Sequence, residues 1–72
     1  MKRKVRNIYE DDVFEVQVGD YVGFKCDIEQ WGQIIDLGYQ RATIENKSGF
    51  EGEYIGGETQ TVVPLERLWQ EG

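Results

Sequence analysis

The sequence predicts a small all-β domain, because its apolar residues alternate, its glycines punctuate short runs, and helical periodicity is missing. After a turn at Gly19 and Asp20, apolar residues fall on every second position up to residue 28. The same pattern returns over residues 31–37. A chain of 72 residues forms one domain with too small an interior for both a core and an enclosed substrate cavity. We therefore expect its function on the outer surface.

The chain divides into an N-terminal arm, residues 1–12, and a body, residues 13–72. The arm is polar, basic at its start and acidic at its end, and we expect it to add an edge strand over residues 5–9. Body strands are predicted over residues 13–18, 20–28, 31–37, 40–45 and 59–63. The inward-facing side chains predicted for the first two body strands are Phe14, Val16, Val18, Val22, Phe24, Cys26 and Ile28.

Several residues predict local irregularities in these strands. Ile34 and Ile35 cannot face the same side of a regular strand, so we expect a β-bulge that turns Ile34 and Leu37 inward. Gly23 lies on the outer face of its strand, where it predicts a bend or the close approach of another backbone. Gly38 is expected to take the demanding backbone angle of the turn at residues 37–40. Pro64 ends the last strand, and one helical or 3-10 turn follows over residues 65–69.

Four segments carry a resemblance to a known family: Val18-Gly19-Asp20-Tyr21-Val22, Trp31-Gly32-Gln33-Ile34-Ile35, Ala42-Thr43-Ile44 and Val62-Val63-Pro64-Leu65-Glu66-Arg67-Leu68. In this order they resemble small SH3-like barrels of the KOW and Tudor type, over about residues 13–69. The resemblance implies a single all-β barrel of about five antiparallel strands with a terminal 3-10 turn. The chain departs from nucleic-acid-binding members in its acidity. It also lacks the acidic-aromatic stretch that lines the proline-peptide groove of signalling SH3 domains. The short acidic chain is also similar to accessory proteins of tailed bacteriophages.

Charge is distributed unevenly along the chain, whose formal net charge is −6. Residues 7–72 hold four basic residues and all fourteen acidic ones, so this part of the chain should repel a phosphate backbone unless basic groups converge on one face. The arm has three possible fates: it folds back on the acidic body, reaches for a polyanion, or stays solvated. Its basic residues are Lys2, Arg3, Lys4 and Arg6.

The residue inventory argues against catalysis and against metal or cofactor binding. The chain has no histidine, one serine (Ser48) and one cysteine (Cys26), which is expected to pack in the core. One cysteine without histidine makes structural zinc unworkable. The glycine-rich segment 49–57 lacks the lysine and hydroxyl pair of a phosphate loop. We expect no enzyme activity, no cofactor and no metal. No apolar run is long enough to span a membrane, which predicts a cytoplasmic protein, or one of the host cytoplasm if phage-encoded.

Aromatic residues surrounded by acids predict a surface that binds a basic protein partner by cation–π and Coulomb attraction. Loop glycines are expected to hold Phe50 and Tyr54 away from the strands, whereas Trp31 is expected to fill the core. The predicted partner-binding residues are Phe50, Tyr54, Tyr39, Tyr21, Glu51 and Glu53.

Two alternative functions use the charges differently. In the first, carboxylates imitate phosphate spacing and the protein blocks a host protein that binds DNA or RNA. In the second, the arm itself binds nucleic acid, helped by Lys25 or Arg41. Exposed sheet edges also predict self-association, which acidic self-repulsion opposes, so the sequence specifies no stoichiometry.

Overall fold

The computed structural model describes residues 2–70, and within this range every regular element except one short 3-10 turn is a β-strand. This confirms the all-β prediction. The elements are β1 Lys2–Arg6, β2 Val13–Gln17, β3 Tyr21–Cys26, β4 Ile28–Leu37, β5 Arg41–Glu45, β6 Gln60–Pro64, the 3-10 turn Leu65–Arg67 and β7 Trp69–Gln70.

The strands form two antiparallel sheets. β1 and β2 make a two-stranded hairpin, and the other five strands make a sheet of order β6-β5-β4-β3-β7. From β3 to β6 the chain meanders from neighbour to neighbour across this sheet. After β6 the 3-10 turn carries the chain to the opposite edge, where β7 pairs with β3. The turn was predicted, and its burial of Leu65 and the following Leu68 anchors it to the core.

The core lies between the inner face of the main sheet and the hairpin. Val5 and Val16 of the hairpin join the cluster formed by the main sheet, so β1 folds back on the body and does not stay solvated. Phe14 and Cys26 pack against this cluster but remain partly exposed. The buried apolar residues are Val5, Val16, Val22, Phe24, Ile34, Leu37, Ala42, Ile44, Phe50, Val63, Leu65 and Leu68.

The predicted bulge in β4 is confirmed. The register between β4 and β5 shifts between Ile34 and Asp36. The extra residue lets Ile34 and Leu37 both face the core, while Ile35 is half-buried. A single inserted residue thus reconciles two adjacent isoleucines with one buried face.

Four local predictions are wrong. The edge strand covers residues 2–6 instead of 5–9, because Asn7 turns the chain away from the ladder. Val18 is exposed because β2 ends at Gln17, and Ile28 is exposed at the start of β4, since the chain reverses at Asp27 and does not continue β3. Gly38 does not adopt a positive φ; its amide donates to the Arg41 carbonyl and closes the turn in an ordinary backbone conformation.

Candidate functional site

The outer side of the main sheet carries a row of aromatic rings. Gly23 of β3 is directly opposite Trp31 of β4 on one side and Trp69 of β7 on the other. Directly opposed residues project from the same side of a sheet, so both indoles flank this glycine. Tyr21 lies two residues earlier on β3 and projects to the same side. Trp31, expected in the core, is instead 39% exposed.

Gly23 is what allows the row to be continuous. A Cβ atom built at this position would overlap Nε1 of the Trp69 indole, which lies across β3. The close approach predicted at Gly23 is therefore made by a side chain and not by another backbone. The covered glycine is buried although it faces outward.

Tyr9 extends the row beyond β7. Its ring meets the Trp69 ring edge-on, with centroids 6.1 Å apart and planes at 76°. We call Tyr9, Tyr21, Trp31 and Trp69 together the aromatic face. Of these four, only Tyr21 is among the partner-binding residues predicted from the sequence.

Asn7 holds Tyr9 in this position. Its Oδ1 accepts hydrogen bonds from the amides of Tyr9 at 2.7 Å and Glu10 at 2.8 Å, and its Nδ2 donates to the Leu68 carbonyl. The side chain is 1% exposed. It therefore ties the turn that carries Tyr9 to the segment that carries Trp69.

A surface cavity of about 390 Å³ opens beside the aromatic face. Two carboxylates, Glu10 and Asp12, and two aromatic rings, Phe14 and Trp69, contribute to its lining. Aromatic faces and carboxylates both attract an ammonium or guanidinium group. The remaining lining residues are Asn7, Val13 and Gln70.

The loop at residues 46–58 differs from its prediction at one central residue. Phe50, expected to stand away from the strands, is 3% exposed and packs edge-on against Phe24 with centroids 5.6 Å apart. Its amide donates to the Glu58 carbonyl, and its carbonyl accepts from the Gly57 amide. The glycines fold the loop back over Phe50 and so bury the ring.

The rest of that loop is held against the β3–β4 hairpin with its acids outward. The buried Gln30 side chain donates to the Glu51 carbonyl and accepts from the Glu51 amide at 3.1 Å. The Glu53 amide donates to Asp27 Oδ2 at 2.8 Å. Tyr54 is 75% exposed at the loop tip. We call the exposed residues Asp27, Glu51, Glu53 and Tyr54 the acidic loop surface.

Tyr39 belongs to a third surface. It is 88% exposed in the β4–β5 turn, and the Arg3 guanidinium lies 5.0 Å from its ring centroid. A groove of about 540 Å³ next to it is lined by basic residues of the arm and of β5. We call it the basic groove; its basic lining residues are Lys4, Arg6 and Arg41.

The other basic residues predicted to take part in nucleic-acid binding do not line that groove. Lys2 lies at the exposed start of β1, and Lys25 stands on β3 opposite Glu29 of β4. Arg6 also pairs with Asp11 at 2.8 Å.

The six predicted partner-binding residues are divided among the core, which holds Phe50, and three separate surfaces.

Phe14 and Trp31 were expected in the core, and the other site residues missed by sequence reasoning are Asn7, Tyr9, Glu10, Asp12 and Trp69. They come from both ends of the chain, and no spacing within either segment links them. The outward position of Gly23 was the one signal available, since it indicated that something would cover that strand.

Among residues 2–70, no three or more potential metal-ligating side chains cluster. The same residues contain no helix with the length and apolar character of a membrane span. Comparison of the chain with protein-family models, curated proteins and solved structures finds no match.

Proposed function

We propose that this chain is a non-catalytic binding module that recognises a basic protein partner. The observation that carries the proposal is the aromatic face together with the carboxylate-lined cavity beside Trp69. Exposed aromatic side chains supply contact area at low entropic cost, and rings with polar tips are enriched at protein interfaces. The partner is of the basic type that the sequence predicts, but its main contact surface is the aromatic face.

The recognised group is a lysine or arginine side chain of the partner. Its cationic head enters the cavity between Glu10 and Asp12, while its alkyl stem packs on the rings of Phe14 and Trp69. The rings of Tyr9 and Trp31 add contact area on either side of Trp69. The acidic body, with the acidic loop surface included, adds a long-range field that attracts a basic partner and raises the association rate.

We further propose that the five-stranded sheet is an SH3-like barrel. Support comes from the strand order, in which a four-strand meander is followed by a 3-10 turn and a last strand beside the first. A flat sheet of five strands would be about 19 Å wide. Only residues 65–68 connect β6 and β7 at its two edges, and three of them are in the compact 3-10 turn. So short a connection favours a sheet that is strongly curled.

A titration with a capped peptide of alternating arginine and serine tests the binding proposal, with tryptophan fluorescence as readout. The double variant Glu10→Gln, Asp12→Asn removes two carboxylates from the cavity lining. The double variant Glu51→Gln, Glu53→Gln removes two carboxylates from the acidic loop surface and is the matched control. We expect roughly tenfold weaker binding for the first and less than about threefold for the second, because distant exposed charges are screened.

Equal losses in the two variants would show that only net charge matters, and a larger loss in the loop variant would move the interface to the acidic loop surface. Either result would contradict the aromatic face as the main contact. Tyr39→Ala serves as a further control, because it removes an exposed ring from a different surface. Circular dichroism of each variant checks that the fold is retained.

A further inference from the structure

We infer that the free edge of β1, where it forms one wall of the basic groove, binds an extended acidic peptide segment of a partner protein by strand addition. This site is separate from the aromatic face and does not depend on the function proposed above. It combines an unpaired backbone edge, an adjoining groove of about 540 Å³, and positive charge. Each of these is visible in the described residues.

The backbone of β1 is paired on one side only. Within residues 2–70 its one strand partner is β2. The Asn7 amide donates across the hairpin to Asp12 at 2.8 Å, whereas the Ile8 amide points the other way and donates to a carbonyl of the 3-10 turn at 3.0 Å. Because alternate residues of a strand point to alternate edges, the N–H and C=O groups of Lys4 and Arg6 also face away from β2.

The groove runs along this edge. Its opposite wall is formed by residues 39–41 and 64–66, and its volume is about 540 Å³. Lys4 and Arg6 line it together with Val5 between them. An added strand would pair with the backbone of β1 while its side chains reach the opposite wall.

Charge defines the peptide. Lys4 and Arg6 are two residues apart in β1, so their side chains project to the same side of the hairpin, and Arg41 lies on the other wall. A segment with acidic residues at positions i and i+2 places a carboxylate opposite each of the two β1 cations. Between the two acidic residues of the peptide, an apolar residue would face Pro64 and Leu65. Glu66 also lines the groove and disfavours a third acidic residue at its end of the groove.

The same edge disfavours two other occupants. A nucleic acid offers phosphate oxygens, which only accept hydrogen bonds, whereas the edge presents the carbonyl oxygens of Lys4 and Arg6 as well as their N–H groups. A second copy pairing β1 with β1 would bring two basic strands together, and like charges opposed across strands are destabilising. A peptide backbone both donates and accepts, so it matches the edge.

The test uses the full chain labelled with ¹⁵N and the capped peptide acetyl-Ser-Val-Glu-Val-Glu-Val-Ser-amide, which has acidic residues at positions i and i+2 only. We expect saturable shifts of the Lys4 and Arg6 amide resonances and slower hydrogen exchange at both. Lys4→Ala removes the charged side chain but keeps the backbone N–H, whereas Lys4→Pro removes both without touching the β2 ladder. The proline variant should bind roughly fivefold more weakly than the alanine variant, the effect of one hydrogen bond.

Arg41→Ala gives a variant outside the hairpin and should weaken binding without affecting β1 pairing. The proposal is overturned if the Lys4 and Arg6 amides do not respond, if Lys4→Pro with an intact hairpin binds as well as Lys4→Ala, or if a peptide with lysine in place of glutamate binds equally. Equal shifts with oligo-dT of six nucleotides would assign the groove to polyanions in general and would also overturn it.

Discussion

The acidic loop surface, and the aromatic face with its adjoining cavity, both combine aromatic rings with carboxylates but are assembled in opposite ways. The loop surface comes almost entirely from one stretch, residues 46–58, with Asp27 as the one distant contributor. The aromatic face combines residues from the N-terminal turn, β3, β4 and β7. A site built from neighbouring residues can be recognised in the sequence, whereas a site built from distant segments cannot. A cluster of aromatic and acidic residues in the sequence therefore indicates chemistry but does not say which rings stay outside.

Phe50 and Tyr54 show the difference within the loop itself. Both were expected to project from it because of the surrounding glycines. The structure turns Phe50 into the core against Phe24 and leaves Tyr54 exposed. One ring anchors the loop and the other is free to meet a partner.

The largest expected effect is that of Phe50→Ala, which removes the anchor of the loop. Truncating a buried phenylalanine costs about 3–5 kcal/mol, which is most of the stability expected for a domain of this size. Chemical denaturation followed by circular dichroism measures it, with Tyr54→Ala expected within about 0.5 kcal/mol of wild type as control. Similar stabilities for the two variants would mean that Phe50 is not a core residue.

Asn7→Ala tests the positioning of the aromatic face and should have the second-largest effect on the free energy of unfolding. It leaves the buried Leu68 carbonyl without its donor and removes the acceptor of two amides, so we expect a loss of about 2–3 kcal/mol. Because the turn carrying Tyr9 is then untied, the contact between the Tyr9 and Trp69 rings should also weaken. Nuclear Overhauser effects between the two rings measure this; if they persist unchanged, Asn7 does not position the face.

Gly23→Ala should have the smallest effect on stability and a clear effect on the aromatic face. The added methyl group overlaps the Trp69 indole, which must move off β3, at a cost of about 1–2 kcal/mol. We expect a red-shifted tryptophan emission and weaker binding of the arginine–serine peptide. Gly57→Ala, at a glycine where the added Cβ meets nothing within 4 Å but φ is +88°, provides a comparison in which only backbone strain acts. Unchanged emission in Gly23→Ala would show that Trp69 does not cover this glycine.

Sequence alone was informative wherever a feature depended on neighbours along the chain. Alternation predicted the strands, two adjacent isoleucines predicted the bulge in β4, and Pro64 with the following leucines predicted the 3-10 turn. Tyr21 was correctly placed on the outer side of β3. Two of the errors fall at strand ends, where Val18 follows the last residue of β2 and Ile28 already belongs to β4.

The amino-acid sequence by itself determined that this is a small, acidic, all-β chain with a basic N-terminus and no histidine chemistry. Only the tertiary structure decided that Phe50 belongs to the core, that Trp69 covers Gly23 and contacts Tyr9, and that one edge of β1, unpaired within residues 2–70, borders a basic groove. The physical reason is that alternation and turn chemistry are local properties of the backbone. Which ring is buried and which edge stays open depend instead on contacts between residues far apart in the chain.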